Sequence, residues 1–221
     1  MSKLSAINSN QNKQTSDKFG DTFGAASVLS SIFASFVLLS NILSTKIINI
    51  AGLANDAGTL IYPFTFVVKD IIQKKYGRKA ARRVIWTTYG ILAFAFLCLW
   101  IVGKIPPDAS WANQEAYDAV LTPFGRLVVA SIISGIISEL LDTKVFSYLW
   151  KKTQQVWVAL ISNVVGIAVD TALFALIAFY GDLPVEALWG VFITNMVMKL
   201  ALSSLAAPSI LLVKPTAKEL V

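Results

Sequence analysis

The chain has 221 residues, 56% of them hydrophobic and 14% charged, with a mean hydropathy of +0.66. A soluble domain carries roughly 25% charged residues, so this composition excludes an ordinary water-soluble fold and points to an integral membrane protein. With no histidine and one cysteine, it also excludes the ligand set of an intramembrane zinc peptidase.

The first twenty residues, MSKLSAINSNQNKQTSDKFG, are polar and lack the apolar middle of a cleavable signal peptide. They read as a disordered cytoplasmic tail, residues 1–20. Six apolar runs follow, at 22–48, 59–73, 84–103, 124–149, 156–180 and 186–213. They are apolar all round, whereas strands of a transmembrane barrel alternate. Crossing about 30 Å of hydrocarbon takes roughly 20 helical residues. The predicted fold is therefore an all-α integral membrane protein of six transmembrane helices over residues 21–213, followed by a short cytoplasmic tail, 214–221. The second run, GTLIYPFTFVVKDII, is short, about 22 Å of helix, with Pro63 inside it. Cys98 lies within the third run, where it cannot close an intrachain disulfide and serves as a small apolar filler.

Lys and Arg set the orientation. If the N-terminus is cytoplasmic, the inside segments hold most of the 19 basic residues, including the run KKYGRKAARR, while the outside loops hold only Lys104 and Arg126. The positive-inside rule then places both termini in the cytoplasm and the chain in the cytoplasmic, or inner, membrane. It also assigns the basic run and the net charge of +6 to anionic lipid headgroups in place of nucleic acid.

Lys46, Lys69, Lys144 and Lys199, with Asp70, Glu139, Asp142 and Asp170, remain in the spans or at their ends. A charge at the bilayer centre costs on the order of 3 kcal/mol, so such groups usually face a bundle interior or a wet cavity. Lys46 and Lys144 are equally compatible with snorkelling at helix ends, whereas Asp142, Asp170 and Lys199 lie deep enough to suggest function.

Two internal echoes organise these charges. LLSNILSTKI, residues 38–47, returns as IISELLDTKV, residues 136–145, with Ser, Leu, Thr and Lys in register. The copies fall in the first and fourth runs, which cross in opposite directions. This is the pattern of two inverted three-helix repeats, about 21–103 and 124–213, and inverted repeats with midplane polar residues are typical of secondary transporters. The second echo matches Ser134, Asp142, Thr143 and Phe146 to Ser162, Asp170, Thr171 and Phe174. Asp and Phe four apart share a helical face, so each helix presents a carboxylate one turn from a ring. That suits a flat ligand with hydrogen-bond donors on its edge, and Asp142 and Asp170 are expected to line one central cavity.

The segments IYPFTFVVKDIIQKKYGRKAARRVIW, LLDTKVFSYL, SNVVGIAVDTALFALIAFYGD and LLSNILSTKI resemble the queuosine-precursor transporter family, also known as a vitamin uptake transporter family. The likeness runs from residue 28 to about residue 213. It implies six helices and uptake of a 7-deazaguanine such as 7-cyano-7-deazaguanine. Carried over position by position, the family's polar residues fall on Asn41, Asp70, Arg82, Arg83, Asp142, Ser162, Asp170 and Lys199. At Glu139 many relatives carry Gln. The candidate binding set is Asn41, Phe66, Asp70, Glu139, Asp142, Phe146, Ser162, Asp170, Phe174 and Lys199, with Phe66, Phe146 and Phe174 sandwiching the ring and Asn41 and Ser162 reaching its carbonyl. No metal, cofactor or catalytic group is expected.

Two rivals follow from the same residues. An intramembrane aspartyl protease needs two Asp on neighbouring helices, but Asp142 follows Leu-Leu and Asp170 follows Ala-Val, without the expected Gly-x-Gly-Asp. The substrate-binding subunit of an energy-coupling-factor transporter is also a small six-helix protein. Its coupling subunits, or a second copy of the chain, could dock on small-residue faces such as Ala25, Ser30 and Ala34. The chain has no phosphate-binding Gly-x-x-x-x-Gly-Lys run of its own.

Overall fold

In the computed structural model, the described residues are 24–50, 53–121, 124–153, 156–181, 184–206, 208 and 212. The expected tails, 1–20 and 214–221, and the last residues of the sixth span lie outside them. Helix α1 covers Gly24–Leu43. A hairpin of β1, Ile47–Ile50, and β2, Leu53–Asp56, leads through a 3-10 turn, Ala57–Leu60, into α2, Pro63–Tyr76. Then come α3, Arg78–Gly103, α4, Gln114–Leu121, α5, Phe124–Trp150, α6, Val156–Phe179, and α7, Val185–Ala206. Helices α1, α3, α5, α6 and α7 are each long and apolar enough to cross a bilayer. Helix α2 takes the place of the second expected span, and its 14 residues reach only about 21 Å.

Where the sequence suggests helix as far as residue 48, α1 stops at Leu43. The hydroxyl of Ser44 donates to the Ser40 carbonyl at 2.8 Å and that of Thr45 to the Ile42 carbonyl at 2.7 Å, which satisfies acceptors that a continuing helix would have used. The Ile-rich stretch beyond favours extended backbone. It pairs antiparallel from Ile47 opposite Asp56 to Ile50 opposite Leu53, and the Ala57 amide closes the ladder on the Lys46 carbonyl at 2.9 Å. Asp56 caps the 3-10 turn by accepting from the Thr59 amide at 3.1 Å. Pro63 is the first residue of α2 and introduces no kink, because a helix-starting position needs no N–H and suits its fixed φ. Helix α4, which the sequence leaves in an outer loop, is too short to cross a membrane.

Helix α2 is the centre of the bundle. It packs against α3, α5, α6 and α7, and ten of its 14 residues are buried, Lys69, Asp70 and Gln73 among them. Gly77 joins α2 to α3 with φ +88°, a conformation that glycine adopts without strain. The distribution of side chains inverts that of a soluble protein. Trp86, Phe94 and Trp100 of α3 and Trp157 of α6 face outward, while Ser, Thr, Asn, Asp and Lys are buried, as expected where lipid covers the outside. Lys46, in the turn before β1, and Lys144, on α5, are both exposed.

Phe33 and Val37 of α1, Ile72 of α2, Ile85 and Tyr89 of α3 and Val128 of α5 form the main apolar core. The hydroxyl end of the Tyr89 ring abuts Gly135, where an added Cβ would collide with it. Gly135→Ala is expected to cost about 1–3 kcal/mol through overpacking, read as a lower unfolding temperature in detergent. Gly90→Ala, at a position with open space around it, is the matched control and should leave that temperature close to the parent's.

Candidate functional site

A pocket of about 340 Å³, counting its open part, lies at the end of the bundle where the hairpin sits. Ser40, Asn41 and Ser44 contribute from the end of α1, Asp56, Gly58, Thr59 and Tyr62 from the hairpin and the entry to α2, Ser131 and Ser134 from α5, Asp170 and Phe174 from α6, and Lys199 from α7. Asp170 is its charged anchor. One carboxylate oxygen pairs with the Lys199 ammonium at 3.0 Å, and the other accepts from the Tyr62 hydroxyl at 3.1 Å and from Ser138 at 3.5 Å. Lys199 also lies over the rings of Tyr62, at 4.9 Å, and Phe174, at 6.0 Å, which adds cation–π attraction to the ion pair. The Asn41 amide donates to the Val37 carbonyl at 2.9 Å.

The hairpin is fastened over this pocket by short polar contacts. Ser44 donates to Asp56 at 2.7 Å. The Thr59 hydroxyl bridges Asp56, at 2.9 Å, and Asn195 of α7, at 2.6 Å. A Cβ on Gly58 would run into the Ser40 carbonyl and the Ser44 hydroxyl, so the 3-10 turn can seat against α1 only with glycine there.

Beneath the pocket, α2 and α5 face one another with polar side chains spaced about one helical turn apart, which keeps them on a common face. The Thr65 hydroxyl donates to Glu139 at 3.3 Å. The Lys69 ammonium pairs with Asp70 at 2.8 Å and with Asp142, and all three side chains are buried. One turn further, the Gln73 amide donates to the Thr143 carbonyl at 3.1 Å and to the Ser147 hydroxyl at 2.8 Å. Each buried aspartate thus has an ammonium beside it, the condition under which buried charge is tolerated.

The residues singled out from the sequence do not fall in one place. Asn41, Asp170, Phe174 and Lys199 come together in the pocket. Asp70, Glu139 and Asp142 lie in the buried layer beneath it. Phe66 sits between the two, edge-on to Tyr62 at 5.8 Å and against Gly166. Phe146 is stacked on Trp150 at 5.3 Å in a separate apolar cluster with Val158 and Ala159. The Ser162 hydroxyl donates to its own helix, to the Ala159 carbonyl at 3.2 Å. Of the two matched Asp/Phe faces, only Asp170 and Phe174 line the pocket. Asp142 and Asp170 have separate lysine partners, which is not the shared-proton dyad of an aspartyl protease. Sequence reasoning passed over Tyr62, Tyr89 and Asp56, and noted Lys69 only as a charge within a span. The adjacent Lys69-Asp70 pair inside the shortest apolar run was the available signal, since ionisable residues within a span face the bundle interior and pair there.

A lipid-facing helical bundle that encloses a charged pocket at one end and a buried ionic layer below it has the construction of a membrane transporter. The chain belongs to the family described as "Putative vitamin uptake transporter", whose model matches residues 56–213. It is similar to the "Probable queuosine precursor transporter" of Bacillus subtilis (strain 168), 25% identical over 173 residues that cover 76% of each chain. It is also similar to the protein of that name from Haemophilus influenzae, 29% identical over 140 residues, 58% of this chain and 56% of that one. The "Queuosine precursor transporter" of Escherichia coli (strain K12) is 27% identical over 142 residues, 64% of this chain and 62% of that one. No solved structure matches. This is a multi-pass membrane transporter and not an enzyme.

Proposed function

We propose that this chain takes up a queuosine precursor, 7-cyano-7-deazaguanine or a related 7-deazaguanine, across the cytoplasmic membrane and binds it in the pocket at the hairpin end. The observation that carries this reading is the Asp170–Lys199 pair, a carboxylate and an ammonium 3.0 Å apart beside the rings of Tyr62 and Phe174. A guanine-type edge presents an N–H and an amino group side by side, with a carbonyl next to them. A carboxylate accepts from the first two and an ammonium donates to the third, and charge-assisted bonds of this kind are strong. Adenine presents the opposite pattern at the same positions. The relatives named as queuosine precursor transporters support the same substrate class.

With the positive-inside orientation, the hairpin end faces outward, the side from which uptake begins. The centre of a water-sized sphere can occupy only about 30 Å³ of the pocket, room for one or two waters, so a bicyclic ring enters as the hairpin moves outward. Asp70, Asp142, Phe146 and Ser162, none of them lining this pocket, belong in this reading to the route beyond it. The test is a ligand panel on purified protein. 7-Cyano-7-deazaguanine at a hundred times its Kd should stabilise the fold by about 2.7 kcal/mol, guanine should do so weakly and adenine hardly at all. Stabilisation by other vitamins and none by deazaguanines overturns the reading. Uptake into proteoliposomes with no ATPase added separates a self-sufficient carrier from a subunit that depends on a coupling partner.

A further inference from the structure

The buried layer beneath the pocket is not charge-balanced. Asp70, Glu139, Asp142 and Asp170 are all within the bundle, and the ammonium groups that pair with them among the described residues are Lys69 and Lys199. Counting Lys74 as well, which lies at the end of α2 over the Trp150 ring, carboxylates still outnumber cations. Lys199 is used by Asp170, and Lys69 by Asp70 and Asp142. Glu139 is left without an ammonium. It is fully buried; one carboxylate oxygen accepts from Thr65 at 3.3 Å and the other has no hydrogen-bond partner among the described residues. An ionised carboxylate in that setting is costly, and binding a proton removes the cost.

We propose that Glu139 is the proton-binding site of a substrate–proton symport: its carboxylate takes a proton from the pocket side and releases it toward the opposite side in each cycle. The proposal rests on the uptake reading above. Polar groups lie on both sides of it. Tyr62 at the entry to α2 and Thr65, Lys69 and Asp70 of α2 face Glu139 or act on its charge, with Tyr89 from α3 and Asp170 from α6. Ser138, Asp142 and Thr143 flank it on α5, and Lys199 of α7 acts through Asp170.

On the pocket side, the Tyr62 hydroxyl touches both Asp170, at 3.1 Å, and the Tyr89 hydroxyl, at 3.3 Å. Thr65 links the Tyr62 carbonyl, at 2.6 Å, to Glu139. On the far side, Lys69 with its two aspartates leads to Gln73, Thr143 and Ser147. Hydroxyls and carboxylates are the components of a proton relay; the Thr65 hydroxyl reaches the Tyr62 carbonyl and not its hydroxyl, so a water or a turn of the Thr65 side chain completes the step to the pocket. Between Asp70 and Asp142, the Lys69 ammonium already fills the place that a sodium ion would take. Substrate bound at Asp170 competes with the Tyr62 hydroxyl for the same carboxylate oxygen, which gives the pocket and the groups around Glu139 a shared contact.

The experiment uses purified protein in proteoliposomes with labelled 7-cyano-7-deazaguanine. An outside pH one unit lower than the inside should raise accumulation by about tenfold for one proton per substrate, and a sodium gradient at equal pH should not. In Glu139→Gln the ratio of uptake with and without the pH gradient should fall to about one, whatever uptake remains, and Glu139→Asp should restore part of it. Infrared difference titration of the ligand-free protein provides a readout independent of substrate. Acidification should bring up the carbonyl stretch of a protonated carboxylic acid, and Glu139→Gln should abolish that band. Gradient stimulation that persists in Glu139→Gln, stimulation by sodium alone, or a band unchanged in the variant overturns the proposal. If the parent binds no deazaguanine, the substrate reading fails and the infrared band alone decides the proton site.

Discussion

Asp170→Asn should weaken binding of 7-cyano-7-deazaguanine roughly ten- to a hundredfold, the equivalent of one charge-assisted hydrogen bond at about 1.5–3 kcal/mol. The amide keeps the shape of the side chain but replaces an acceptor with a donor, and one of its ends must then confront either the Lys199 ammonium or the ligand's own N–H groups. Lys199, held by Asp170 at 3.0 Å, also loses its counter-charge. The measurement is the dissociation constant of purified variant that elutes and melts like the parent. Asp142→Asn is the companion, because Asp142 faces Lys69 and lies outside the pocket lining, so its effect on binding should be the smaller. Parent-like affinity in Asp170→Asn would show that this aspartate is structural.

Lys69→Met should be the most destabilising single change in the bundle. It leaves Asp70 and Asp142 buried with no cation between them, and breaking a buried ion pair from one side costs about 3–5 kcal/mol. The expected result is a large fall in unfolding temperature or in the yield of folded protein. Adding Asp142→Asn to Lys69→Met should recover part of the loss, because the second substitution removes one of the orphaned charges. Such non-additivity is the mark of direct contact. A Lys69→Met protein that melts with the parent would mean that the ionic layer contributes nothing to holding α2 against α5.

Hydropathy was enough to place five of the helices, since a run of twenty apolar residues has one stable answer in lipid. The short second span was visible too, though not its cause. Pro63 marks where α2 starts, and the residues before it are spent on a hairpin and a 3-10 turn. That hairpin was illegible by hydropathy, because IINI is as apolar as the helix before it. The only signs were the β-branched run and the Gly and Asp that follow. Asp170 and Lys199 could be chosen from depth alone. Their pairing could not, since it depends on how α6 and α7 are turned toward each other. Nor could depth separate Asp142 from Asp170, and Asp56, counted as an outer-loop acid, caps the turn beside the pocket. Within the sequence echo between residues 38–47 and 136–145, one pair of adjacent polar residues in each copy is buried. Ser40 and Asn41 in one copy, Ser138 and Glu139 in the other, are all hidden from lipid, although α1 ends within its copy and α5 runs through.

The shortness of α2 makes the two barriers to passage unequal. On one side a ligand is separated from solvent by a four-residue hairpin pair and a few hydroxyl contacts, each worth about 1 kcal/mol. On the other stand Lys69, two aspartates and the Gln73 contacts, which must be dismantled together. On the uptake reading proposed above, the hairpin side is the one that opens at less cost, and the heavier side would yield only when bound cargo offsets the loss of these contacts.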